Sequence, residues 1–114
     1  PLTTVLAENA EGELVLRNRH FGDGTPTCWS DEPGDYADPD YVCSHPSHEW
    51  EWSLGEIVTA VLGAGLGLER LEEHERLFFK RWPHMVQHSP RWYHCPEYQG
   101  SLPLLFTLQA RKPG

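Results

Sequence analysis

The sequence predicts a small α+β domain in which antiparallel strands carry one well-defined helix packed on the sheet. Three observations predict it. Ser53-Leu-Gly-Glu56 opens an apolar run at helical spacing. Residues 102–110 alternate between apolar and mixed positions at a strand's period. Short β-like runs elsewhere are separated by Gly- and Pro-rich turns.

Residues 2–8 are mildly apolar and read as a short helix or a lead-in. Residues 13–19 read as a strand with Leu14 and Leu16 on one face and Val15 and Arg17 on the other. Phe21-Gly-Asp-Gly-Thr-Pro26 has strong turn chemistry, so residues 27–30 are expected to return as the second strand of a hairpin. Residues 31–40 are rich in Pro, Gly and Asp and read as a solvated lid or surface connection. In the extended segment 48–52, Trp50 and Trp52 share one face, and two adjacent indoles call for burial or a ligand.

Ser53 and Glu56 fit a reciprocal capping box. Leu54, Ile57, Val58, Val61 and Leu62 then recur at helical spacing, so a helix is expected over 54–64, with Gly65 suited to a left-handed terminus. Residues 66–82 are ambiguous: propensity slightly prefers helix, whereas Leu66 and Leu68 begin a strand-like alternation that breaks at Leu71. Pro83 stops either element. Residues 84–100 read as a loop crowded with aromatic and His side chains. Residues 101–112 read as a closing strand, with Leu102, Leu104, Phe106, Leu108 and Ala110 on one face and Pro103 near its start.

The chain has 114 residues and a net charge of −8, and no stripe of Lys and Arg. Phosphate neutralisation needs such a stripe, so neither nucleic acid nor an anionic membrane is expected as a direct partner. No apolar run approaches the roughly 20 residues that span a bilayer. Three widely spaced cysteines do not form a disulfide framework and fit a reducing, cytoplasmic setting. Residue 1 is Pro and the sole Met is Met85, so the chain reads as processed or as a piece of something longer.

Three stretches together resemble one family. The run from Ser53 to Leu66, SLGEIVTAVLGAGL, is similar to the last sheet-flanking helix of small class I S-adenosylmethionine-dependent methyltransferases. Glu69-Arg-Leu-Glu-Glu-His74 is similar to the strand that follows it, and the run from Leu102 to Pro113, LPLLFTLQARKP, to the final strand. Tyr36-Ala-Asp-Pro39 and Glu49-Trp-Glu-Trp52 resemble the segment before that helix in one branch of the family.

The resemblance covers almost the whole chain and implies the C-terminal edge of a Rossmann-like α/β sheet. Residues 1–52 would be an acceptor-side hairpin and loop, and residues 53–114 the helix with a terminal antiparallel strand pair, forming one partial domain. It resolves residues 66–74 in favour of strand. It also implies S-adenosyl-L-methionine as the cofactor of a parent protein with a small-molecule methyl acceptor. The family's Gly-rich strand-to-helix unit has no counterpart: Gly22-Asp-Gly24 lies in a turn, and Gly63-Ala-Gly-Leu-Gly67 ends a helix instead of opening one. The chain alone is therefore expected neither to bind the cofactor nor to be active, and its uncovered sheet edge is expected to self-associate.

By the same resemblance, the acceptor pocket would draw on Tyr36, Trp50, Trp52, Trp82, Trp92 and Tyr93, with Trp29 and Tyr41 as further lining. Core packing competes with that role at each aromatic. No catalytic residue is singled out; His45, His48 and His88 are general-base candidates by residue type alone. Cys43, His45, His48 and Cys95 form a weaker metal-site alternative without a familiar ligand spacing. Nothing in the sequence marks Cys28 or Cys95 as an activated thiol. The competing functional reading is a stand-alone α+β binding module that offers a Trp-rich face to an apolar ligand or a protein partner.

Overall fold

The computed structural model describes residues 2–30, 38, 40–42 and 44–114. The expected lid therefore lies almost wholly outside the described residues, as do Tyr36 and Cys43. Among the described residues the fold is α+β, with one α-helix and nine short strands in four antiparallel sheets.

A single turn of 3-10 helix (Leu2–Thr4) leads into β1 (Leu6–Glu8), which pairs with β2 (Leu14–Leu16). Asn9 builds the connection. Its side-chain oxygen accepts from the backbone N–H groups of Glu11 and Glu13, and Gly12 takes a left-handed φ of 82°. Asn is favoured in such turns because it can hydrogen-bond its own local backbone.

The expected hairpin between 13–19 and 27–30 does not form. β2 turns back to β1, and β3 (Thr27–Trp29) pairs instead with β4 (Ser47–Glu49). The turn residues do bend the chain: Asp23 holds the bend by accepting from the backbone and hydroxyl of Thr25 and from Arg19. Those bonds, the Thr25 hydroxyl first, hold the Asp23 carboxyl far below the usual carboxylate range. Turn chemistry fixes that the chain bends; which strands meet depends on partners distant in sequence.

The helix α1 (Leu54–Gly63) begins as expected. The Ser53 backbone N–H donates to the Glu56 carboxylate at 2.8 Å, and the Glu56 N–H donates to Ser53 Oγ at 3.3 Å. Gly65 follows with φ 77°. Leu54, Ile57, Val58 and Val61 are half-buried, and no helical residue is fully buried.

Residues 67–74 are strand, β5 (Gly67–His74), paired antiparallel with β9 (Leu105–Arg111). The register explains the broken alternation. Leu68 faces Ala110 and Leu71 faces Leu108, with an irregularity between Leu68 and Arg70. A β-bulge inserts one residue and resets the side-chain parity, so two leucines three apart share one face. That face carries Leu68, Leu71, Phe106, Leu108 and Ala110, and α1 packs against β5.

Residues 84–100 are not a plain loop. β6 (Arg76–Leu77), β7 (Val86–Ser89) and β8 (Trp92–His94) form a three-stranded sheet in the order β6-β8-β7. The tight Pro90-Arg91 connection places Arg91 at φ 76°. A 3-10 turn (Pro96–Tyr98) follows. The closing strand starts later than expected, because Leu104 is taken into the core before β9 begins.

The core comprises Leu6, Leu77, Trp82, Met85, Cys95 and Leu104, and Leu104 is only 1% exposed. Thr3 seals it by donating its hydroxyl to the Leu104 carbonyl. Beside it, the α1–β5–β9 layer is thinly covered: Leu68 and Leu71 remain 36% and 38% exposed. The chain exposes 8441 Å², against about 6,400 Å² for a compact monomer of its mass. Its radius of gyration is 16.3 Å, against about 13 Å for a compact domain of this length.

Candidate functional site

The β3–β4 pair carries the densest chemistry among the described residues. Cys28 stands directly opposite His48, and Cys28 Sγ lies 2.9 Å from His48 Nδ1, within hydrogen-bond reach. On the other face of the same two strands, Trp29 Nε1 donates to Glu49 Oε2 at 3.1 Å. Side chains of a strand alternate between faces, so a three-residue pair presents a thiol–imidazole couple on one side and an anchored indole on the other. Neither face is buried.

The indole face opens onto a cleft of about 820 Å³ that includes Trp29, Glu49, Arg17, Arg81 and Phe79. Its size falls in the range of small-molecule sites. Its lining mixes Arg, Asp, Glu and aromatic groups. A smaller cleft of about 440 Å³ runs over the polar face of β5 and β9, where Arg70, Glu72, Thr107 and Gln109 meet Trp92.

The aromatic residues singled out by sequence fall into different settings. Trp82 is buried in the core, where its indole stacks on the His84 ring with the planes 5° apart. Tyr93 is half-buried and packs against the same core. Trp92, its neighbour on β8, lies under the Arg76 guanidinium, 4.5 Å from the ring centre. Trp50 and Trp52 stand 49% and 59% exposed on the segment entering α1. Tyr36 lies outside the described residues, and Tyr41 is exposed.

The candidate bases also separate. His48 is engaged by Cys28. His45 is exposed. His88 is exposed and meets the His94 ring edge-on at 5.4 Å. Among the described residues, no three His, Cys, Asp or Glu side chains converge as metal ligands. Cys95, one member of the metal alternative, is in the core, where burial and then Glu97 push its thiol pKa up.

Sequence reasoning missed two pairs. The Cys28–His48 couple is hidden from local sequence because turn chemistry points residues 27–30 at 13–19, whereas β3 pairs with β4. The second pair is His84 Nδ1 with Glu8 Oε1, 3.3 Å apart, which ties β1 to the segment after Trp82 across 76 positions. No local signal announces either contact, since each depends on non-local pairing.

No protein-family model matches this chain, and neither a curated protein nor a solved structure shows significant similarity to it.

Proposed function

We propose that this chain is the C-terminal portion of an S-adenosylmethionine-dependent methyltransferase. It contributes the sheet edge, the helix that flanks it and part of the acceptor-side lining, and it is inactive alone. The observation that carries the reading is the order α1–β5–β9, with the two strands antiparallel and the helix laid on one face. A two-stranded sheet with one helix is a small fraction of a stable layer. The exposure of Leu68 and Leu71 and the large total surface fit a layer that further strands and the helices packed on them would complete. In this reading S-adenosyl-L-methionine and a small-molecule methyl acceptor belong to the larger protein.

The test has two arms. Calorimetric titration of residues 1–114 with S-adenosylmethionine should show no saturable micromolar binding. The reading frame upstream of Pro1 should encode a strand, Gly-rich loop and helix, and that longer protein should transfer a labelled methyl group. Micromolar binding by the short chain, or an upstream frame lacking that unit, overturns the reading. The open edges of β5 and β9 should also make the isolated chain self-associate, which light scattering at rising concentration measures; a strict monomer counts against the exposed-edge argument.

One observation favours a second reading, a small binding module for an apolar ligand or protein partner: Trp50 and Trp52 are both exposed. Solvent-facing indoles in series are unusual unless something covers them. Here a frame that starts near Pro1 would be expected, and Trp50→Ala with Trp52→Ala should abolish partner capture without altering the fold.

A further inference from the structure

The Cys28–His48 couple is used by neither reading. Directly opposed residues of an antiparallel pair project from the same face, with their Cβ atoms about 4.5–5.5 Å apart. The register sets Cys28 against His48, which brings Sγ within 2.9 Å of Nδ1. Strand pairing is reinforced on the opposite face by the Trp29–Glu49 hydrogen bond. Both partners of the couple are exposed.

A thiol acts as a nucleophile through its thiolate, and an adjacent base within hydrogen-bond reach supplies that form. Cys28 therefore combines the two things a reactive cysteine needs, a proton acceptor and solvent access. Cys95 has neither: it is buried, and its surroundings disfavour the thiolate.

We propose that Cys28 is an oxidative modification site activated by His48, with a hydroperoxide as its reaction partner. The thiol proton passes to His48 Nδ1, and Sγ attacks one peroxide oxygen. The S–O bond forms as the O–O bond breaks. Sulfur is oxidised to a sulfenic acid and the peroxide is reduced. The leaving hydroxide takes the proton from His48 and departs as water, or as an alcohol from an organic hydroperoxide. The product is a reversible rung of the thiol oxidation ladder. This inference is independent of the methyltransferase reading.

The test uses the full chain at pH 7 with limiting hydrogen peroxide and dimedone, which traps sulfenic acids, followed by peptide mapping to resolve the three cysteines. Adduct on Cys28 should form at least about tenfold faster than on Cys95, and at least about tenfold faster than on Cys28 in His48→Ala. His48→Gln keeps a polar side chain of similar size without a base, and it should lose the same factor. Iodoacetamide alkylation of the three proteins gives a second readout of the same thiol. Equal Cys28 rates in wild type and His48→Gln would overturn the proposal. So would a wild-type Cys28 that reacts no faster than Cys95, which requires no variant to fold.

Discussion

Residues 17–52 and 53–111 are built on opposite terms. Among the described residues of the first stretch none is buried, and the one regular ladder is the three-residue β3–β4 pair. In the second lie α1, the seven-pair β5–β9 ladder, the β6–β8–β7 sheet and most of the core. Isolated two-stranded pairs are marginal in water, so the first stretch is held by turn hydrogen bonds and cross-strand contacts, whereas the second adds the buried core around Leu77, Trp82, Met85, Cys95 and Leu104. The reactive couple and the larger cleft both sit on the weakly buried side. Chemistry and stability are therefore carried by different parts of the chain.

The sharpest test of that division is Leu104→Ala. It removes the most buried side chain and should cost about 2–5 kcal/mol, read as a lower urea midpoint. A loss under about 1 kcal/mol would mean that the core is not centred there. Next, Ser53→Ala should cost about 1 kcal/mol by removing the cap of α1.

That penalty should depend on pH. Hydrogen bonds from Ser53 lower the Glu56 pKa in the folded state. A depressed carboxyl contributes its stabilisation above the ordinary Glu pKa, and the contribution is lost as pH falls through the folded value. The Ser53→Ala penalty should therefore be full at pH 7 and smaller near pH 3; a constant penalty would remove Glu56 from the cap.

Arg91→Gly should raise stability by about 0.5–1 kcal/mol, because Arg91 occupies a left-handed conformation that glycine adopts without steric cost. On the other side of the comparison, Phe21→Ala should change stability by less than about 0.5 kcal/mol, since Phe21 is 71% exposed. Gly22→Ala should leave the urea midpoint unchanged while loosening the 17–52 stretch. A Cβ there would stand 2.4 Å from the Glu51 carbonyl oxygen, so hydrogen exchange should accelerate around residues 20–24 and 49–52. A global loss from Gly22→Ala would show that residues 17–52 are part of the cooperative unit.

Local information in the sequence reached some of these features and missed others for physical reasons. The capping box and the left-handed Gly65 are encoded within a few residues, so α1 was legible. Leu71 broke the alternation of β5, and pattern alone leaned toward a helix; the bulge that reconciles Leu68 with Leu71 exists only in the pairing with β9. The 84–100 segment looked like a loop because β7 and β8 are four and three residues long and dense in aromatic and His side chains. Of the aromatic candidates, Trp82 proved to be core. Cys28–His48 was invisible because the two residues lie 20 positions apart on strands whose partnership no local motif specifies.

By itself, the sequence determined the capped helix, the bend at Asp23, the apolar face of the last strand and the α+β class, since each follows from contacts within one turn or from side-chain periodicity. Only the tertiary structure decided which strands pair, where the bulge falls, that Leu104 leaves the strand for the core and that a thiol meets an imidazole. Those outcomes depend on register between distant segments. A slip of one residue turns every side chain to the other face, so burial selects the register of the strands that touch the core, and cross-strand contacts such as Trp29–Glu49 hold that of β3–β4.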